Sequence, residues 1–247
     1  MLMNNDIFVK LTQNIADKKV FCFPYLGGFS STFCDLAQCA DPSMEVWSVN
    51  PPGHSHSRRT LIEDMQSLVD LYYHHLKEIS LADIAFYGHS LGGVVAYFLA
   101  QKIIQNQKKI HVKHFILLLS ATNPPCAFKN KKISLLSDQD LLNHVMSFGG
   151  IPETVFRSTG ALDYFIPIFR SDFKLLEDAS TLAFEPLNFP VYFFWGDNDH
   201  VVPIEAIFDW KPYFASDLFM IPIKNGGHFF IHQQAKMVAD KLKKILK

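Results

Sequence analysis

Short runs of consecutive apolar residues alternate along this chain with longer stretches in which apolar and polar positions mix. The short runs predict strands at Lys19–Phe23, Glu45–Asn50, Asp83–Gly88, His114–Ser120, Val191–Gly196 and Asp217–Ile221. The longer stretches predict helices at Leu61–Ile79, Leu91–Asn106, Ile204–Tyr213 and His232–Leu246. Strands separated by helices of this length imply a parallel sheet covered on both faces. The near-continuous apolar character of Phe115–Leu119 and Val191–Trp195 suits central strands buried from both sides.

The alternation breaks between about Asn123 and Asn188. Helices are predicted there at Asp138–Phe148, Glu153–Thr159 and Ala161–Glu177, with loops between them and no convincing central strand. An insertion near the carboxyl ends of the strands of a doubly wound sheet is positioned to roof a site. A length of 247 residues fits one large α/β domain or two small ones. The expectation is one domain over residues 1–247 carrying the insertion at about 123–188. The sequence has no internal repeat and no low-complexity tract.

Composition narrows the field. Hydrophobic residues make up 49% and charged ones 19%, with 23 Phe, which is the signature of a folded globular chain. Lys and Arg number 23 against 24 Asp and Glu, so the charge balance suggests neither nucleic acid nor membrane as partner. The beginning, MLMNNDIFVKLTQ, lacks a basic region followed by a long apolar stretch, and no run reaches the length of a membrane span. Cys22, Cys34, Cys39 and Cys126 show neither CxxC pairing nor zinc-ligand spacing. A cytoplasmic protein with reduced, mostly buried thiols is therefore expected. Lys129-Asn130-Lys131-Lys132 is the one dense basic patch, read first as a solvated loop.

The candidate chemistry begins at Gly88-His89-Ser90-Leu91-Gly92-Gly93, between a predicted strand and a predicted helix. A serine on a sharp strand-to-helix turn needs small residues two positions to either side, because the turn crowds backbone against backbone. Gly88 and Gly92 meet that need, and the following helix directs free N–H groups at developing negative charge. A serine hydroxyl also requires a base, and the base an orienting acceptor. Two loops past later strands supply them in the order nucleophile, acid, histidine: Gly196-Asp197-Asn198-Asp199-His200, then Asn225-Gly226-Gly227-His228. Asp199 is preferred over Asp197, since the later position turns back over the sheet. His228 is chosen from 11 histidines for its loop and its order, while His54, His56, His89 and His200 are assigned structural places. Backbone N–H donors for an oxyanion are expected from Leu91 and, in the early loop Phe23-Pro24-Tyr25-Leu26-Gly27-Gly28-Phe29, from Leu26.

Together these pieces resemble the type II thioesterases, the free-standing editing hydrolases of nonribosomal peptide and polyketide synthesis. The resemblance rests on Pro24-Tyr25-Leu26-Gly27-Gly28, Pro51-Pro52-Gly53-His54, the GHSxGG motif with Ala96 and Ala100 after it, and Trp210. It extends through Ser137-Asp138-Gln139-Asp140-Leu141, Gly149-Gly150-Ile151-Pro152-Glu153, Arg170-Ser171-Asp172-Phe173 and Gly226-Gly227-His228-Phe229-Phe230, from about residue 19 to 232. It implies an α/β-hydrolase fold, with a mostly parallel central sheet flanked by helices and a helical lid insertion. The implied substrate is an acyl thioester on the phosphopantetheine arm of a carrier protein. Ser90 would be the nucleophile, His228 the base and Asp199 its orienter, with no metal or organic cofactor required. Two departures stand out: Leu26 replaces a usual alanine, and His54 a usual arginine.

Other readings keep the machinery and change the role: a broader fatty-acyl thioesterase or carboxylesterase, or a non-catalytic acyl-binding protein on the same fold. Phe148, Phe156, Phe165, Phe169 and Phe173 line an acyl channel or form the insertion's own small core. Arg170 and Asp172 brace the lid as an ion pair, or else dock the pantetheine arm or carrier. The Lys129–Lys132 patch is a candidate to meet an acidic carrier. Nothing in the sequence demands more than a monomer.

Overall fold

The computed structural model describes residues 6–55, 57–79, 81–106, 112–149 and 160–247. Seven strands form one sheet: β1 (Phe8–Lys10), β2 (Lys18–Phe23), β3 (Met44–Val49), β4 (Asp83–His89), β5 (His114–Ser120), β6 (Val191–Gly196) and β7 (Leu218–Ile223). Their spatial order is β1-β3-β2-β4-β5-β6-β7, with every neighbour parallel except the β1–β3 pair at the edge. The helices are α1 (Cys34–Gln38), α2 (Met65–Leu76), α3 (Leu91–Gln105), α4 (Asp138–Met146), α5 (Ala161–Ala179), α6 (Glu205–Phe208), α7 (Phe230–Gln233) and α8 (Ala235–Ile245). This is the mostly parallel sheet covered on both faces that the apolar pattern implies, in the α/β-hydrolase arrangement that the resemblance implies.

Strand residues alternate between two cores, as a two-residue period requires. Phe21, Phe23, Ile84, Phe86, Leu117, Leu119, Val191 and Phe193 pack with α2, α3 and α5 on one face. Val20, Cys22, Ala85, Tyr87, Leu118 and Phe194 pack with α8 and Phe33 on the other. Each fully buried Phe contributes about 1.5–3 kcal/mol relative to exposure, so covering both faces holds the sheet firmly.

Several elements differ from expectation for identifiable reasons. The helix predicted at Leu61–Ile79 spans only Met65–Leu76, because Asp64 caps it by accepting from the Ser67 N–H at 2.7 Å. The helix predicted at Ile204–Tyr213 splits into α6 and a 3₁₀ turn at Lys211–Tyr213, where Pro212 has no N–H to continue the ladder. The C-terminal stretch starts earlier than predicted and divides into α7 and α8. β7 runs on to Ile223 through Pro222, which an edge strand tolerates. β1 and α1, three and five residues long, are too short to show a period and were not expected. The helix predicted at Glu153–Thr159 lies outside the described residues. Of the four thiols, Cys22 is buried, Cys34 and Cys39 are half-buried and Cys126 is exposed, so most are less covered than expected; all are free. Among the described residues, no helix is long and apolar enough to cross a membrane.

The register positions the site. Phe23 lies opposite Gly88, His89 opposite Ser120, Ser120 opposite Phe194, and Gly196 opposite Ile223. The carboxyl ends of five parallel strands therefore share one edge, and the loops carrying Leu26, Ser90, Asp199 and His228 all leave from it.

Candidate active site

Ser90 sits at the tight turn from β4 into α3 with φ +54° and ψ −121°, a conformation that L-residues rarely adopt. Such a backbone costs on the order of 1–3 kcal/mol and persists only where its surroundings over-determine it. Here they do. The Ser90 N–H donates to the Ser120 carbonyl at 2.8 Å, and the Ser90 carbonyl accepts from Gly93 at 2.9 Å. A Cβ on Gly88 would lie 2.2 Å from the Gly92 carbonyl oxygen, and one on Gly92 only 2.0 Å from that of Phe23. Both glycines are thus required by backbone crowding, as the motif suggests.

The Ser90 hydroxyl lies 3.2 Å from His228 Nε2, and His228 Nδ1 lies 3.0 Å from Asp199 Oδ2. The His228 and Asp199 side chains are 3% and 0% exposed. Asp199 Oδ1 accepts from the Val201 and Val202 amides at 2.8 and 3.0 Å, which fixes the rotation of the carboxylate. Asp197 and His200, in the same loop, are exposed to solvent. The two loops can approach because Gly196 lacks a side chain: a Cβ there would be 2.3 Å from the Gly226 carbonyl oxygen. Asn198 N–H bonds that same carbonyl at 2.9 Å. An imidazole whose Nδ1–H faces a carboxylate keeps its Nε2 lone pair free, and can accept a proton from a hydroxyl beside it.

His89 holds this arrangement from beneath. Its Nε2–H donates to the His228 carbonyl at 2.8 Å, and its Nδ1 accepts from the Ser120 hydroxyl at 2.9 Å. Ser120 in turn accepts from the Tyr87 hydroxyl at 2.7 Å. Burial, and then the neighbouring His228, push the His89 pKa well below the ordinary imidazole value, so the ring stays neutral with its proton on Nε2. His89 is thus buried and anchors the His228 backbone. Sequence reading had no signal for Ser120, which reaches His89 only through the β4–β5 register.

The early loop turns at Tyr25–Gly28, with Gly28 N–H donating to the Tyr25 carbonyl at 2.8 Å and Gly27 at φ +74°. Positive φ at the third position defines a type II turn. The Gly27 amide donates to Asp172 Oδ2 at 2.7 Å. Neither the Leu26 nor the Leu91 amide donates to another protein group among the described residues, and both residues line the cavity beside Ser90.

That cavity has a volume of about 370 Å³ and apolar walls that include Val94, Phe128, Val145, Phe148, Phe173 and Leu176. Of the five phenylalanines singled out in the insertion, Phe148 and Phe173 reach it. Phe165 and Phe169 instead stack on each other at 5.6 Å, and Phe169 covers Gly27. Phe156 lies outside the described residues, as does His56. A larger groove of about 980 Å³ opens at the opposite sheet edge, beside Lys18, Asp83 and His114, and Ser90, Asp199 and His228 do not line it.

Arg170 and Asp172 do not pair with each other. Arg170 holds Asp138 at 2.6 Å and the Leu136 carbonyl at 2.9 Å, and it also bonds the Ser134 carbonyl, so it ties α5 to the start of α4. Asp172 reaches His54 as well as the Gly27 amide. Lys129, Lys131 and Lys132 are exposed, and Lys131 borders the cavity.

Residues 18–246 match the family model described as Thioesterase domain. The gramicidin S biosynthesis protein GrsT of Aneurinibacillus migulanus is 27% identical, over 93% of this chain and 89% of its own. The medium-chain S-acyl fatty acid synthase thioesterase of Homo sapiens is also 27% identical, over 98% and 93%. The solved structure of the type II thioesterase BorB from the borrelidin biosynthetic cluster superimposes with a TM-score of 0.84 at 22% identity, covering 98% of both chains.

Proposed function

The chain belongs to the Thioesterase domain family, and from that premise we propose that it is a serine thioesterase of the type II, editing kind. Its substrate is an acyl thioester on the phosphopantetheine arm of a carrier protein or carrier domain, and its role is to clear stalled or misprimed acyl groups. The observation that carries the reading is the continuous relay Ser90–His228–Asp199 at 3.2 and 3.0 Å, opening into an apolar cavity. The gramicidin S relative supports a place beside a peptide-assembling synthase.

In this mechanism Ser90 Oγ attacks the thioester carbonyl while His228 Nε2 takes its proton, and Asp199 stabilises the resulting imidazolium. The Leu26 and Leu91 amides hold the tetrahedral oxyanion. His228 returns the proton to the departing thiolate, leaving an acyl-serine and a free pantetheine thiol. Water, deprotonated by His228, then releases the acid and restores Ser90. The segment between β5 and β6 acts as the lid, with Phe148 and Phe173 lining the acyl chain's path. All of the relay groups come from this one chain, so a monomer suffices.

The test compares specificity constants on acyl-carrier, acyl-coenzyme A and simple aryl ester substrates bearing the same acyl group. A clear preference for the acyl-carrier is expected. Equal or better rates on acyl-coenzyme A or the aryl ester would favour a general fatty-acyl thioesterase or esterase, a reading to which the human relative lends some weight.

A further inference from the structure

Asp172, 2% exposed, receives two donors on a single oxygen: the Gly27 amide at 2.7 Å and His54 Nε2 at 3.2 Å. His54 is itself 3% exposed, and its other ring nitrogen, Nδ1, faces the Pro52 carbonyl at 3.0 Å. Both nitrogens therefore look at acceptors. Neutral imidazole carries one N–H, so only the imidazolium satisfies both contacts. The three segments joined here are far apart in sequence: the turn at Tyr25–Gly28, the loop at Pro51–His54 and helix α5.

We propose that His54 and Asp172 are positioning residues, which as an imidazolium–carboxylate pair hold the turn that presents the Leu26 amide to the reaction. The physical link is the peptide between Leu26 and Gly27. In a type II turn its N–H points to one side, and in type I the peptide is rotated so that the N–H points to the other. Asp172 captures that N–H and so selects the type II form, with Phe169 packed over Gly27 closing the alternative space. A cation beside Asp172 holds the carboxylate aligned through a charge-assisted hydrogen bond. When His54 loses its proton, one of its two hydrogen bonds goes, the carboxylate loses its counter-charge, and the turn is released. The proposal rests on the functional reading only in that the Leu26 amide is taken to serve the oxyanion.

The surroundings of the pair favour the charged form. Burial opposes the charge on His54, but the Asp172 carboxylate and the Pro52 carbonyl outweigh it and hold the ring above its ordinary value. Among the described residues, Asp172 of α5 is the charged group whose field acts on His54. Tyr72 of α2 also faces Asp172, and burial, reinforced by that carboxylate, keeps its hydroxyl neutral. A folded-state value raised in this way contributes order that is present in acid and neutral solution and is lost as the pH rises through it.

Amide exchange at Gly27, corrected for intrinsic rates, tests the idea without substrate. As the pH rises from about 6.5, the ordinary imidazole value, into the alkaline range, the wild-type amide should lose roughly tenfold or more of its protection as His54 deprotonates. His54→Arg, a permanent cation, should hold protection constant across that range, and Asp172→Asn should be poorly protected throughout. On a thioester substrate, kcat should fall in step with protection while KM moves little, up to the roughly 10²–10³-fold cost of losing one oxyanion donor. His54→Arg should abolish that alkaline decline. Protection that is independent of pH in the wild type, or a decline that persists unchanged in His54→Arg, overturns the proposal. A Ser90→Ala variant that still hydrolyses thioesters would instead overturn the functional reading and leave the exchange result standing.

Discussion

Replacing Asp199 by Asn is expected to cripple turnover through the His228 tautomer, and the structure sets the size of the effect. Asp199 Oδ1 accepts two backbone N–H groups at 2.8 and 3.0 Å, while Oδ2 faces His228 Nδ1. An asparagine has one oxygen to offer. Turning its NH₂ toward Val201 and Val202 would leave the half-buried Val201 amide and the buried Val202 amide without an acceptor, at about 1–3 kcal/mol for the buried one. The oxygen therefore stays on the two amides and the NH₂ faces His228. Nδ1 must then accept, the ring proton moves to Nε2, and the base presents an N–H to Ser90 instead of a lone pair. A wrong tautomer in a Ser–His–Asp relay costs about 10⁴-fold in kcat, or roughly 5 kcal/mol of transition-state stabilisation. Asp197→Asn, at an exposed position of the same loop, should stay within about twofold of wild type. The assay is thiol release under saturating thioester, with melting temperatures recorded to exclude unfolding. A loss below about tenfold in Asp199→Asn, or an equal loss in Asp197→Asn, would refute the reasoning.

Further outcomes follow from the same geometry. Ser90→Ala should lower kcat by about 10⁶-fold with the melting temperature preserved; residual turnover near wild type would remove Ser90 as nucleophile. Gly92→Ala gains about 1 kcal/mol in an open helix, but here its Cβ meets the Phe23 carbonyl oxygen at 2.0 Å. It should destabilise by about 3 kcal/mol, a drop of roughly 6–12 °C in melting temperature, measured by calorimetry. A neutral or stabilising result would show that the nucleophile turn is less crowded than described. His89→Ala removes the donor to the His228 carbonyl and should cost roughly 10- to 100-fold in kcat through misplacement of the base. Ser120→Ala should act in the same direction and less strongly; wild-type kcat in both variants would leave the anchoring role without support.

The local part of this protein is written in its sequence. Apolar runs of strand length, the glycines flanking Ser90, and the order of the Ser90, Asp199 and His228 loops all depend on interactions among residues close in the chain, or on backbone conformations that few residues tolerate. That is why the strands of the central sheet were legible within a residue or two, whereas β1, three residues long and held only by pairing with β3, was not. The structure sets Asp199, and not the exposed Asp197, against His228, on the side of the loop that faces back over the sheet.

What folding alone decided are the contacts between segments that share no local pattern. Sequence reading makes His54 and His89 structural without naming partners, and either pairs Asp172 with Arg170 or lets both dock the pantetheine arm or carrier. Parallel register brings Ser120 beneath His89, and the packing of α5 carries Asp172 to the Gly27 amide and to His54, 118 residues away. A hydrogen bond across such a distance leaves no periodicity behind, because each partner obeys the rules of its own element. The walls of the cavity beside Ser90 follow the same logic: of the three α5 phenylalanines, Phe173 lines it while Phe165 and Phe169 do not, a difference set by how α5 lies against the sheet and not by any property of the side chains.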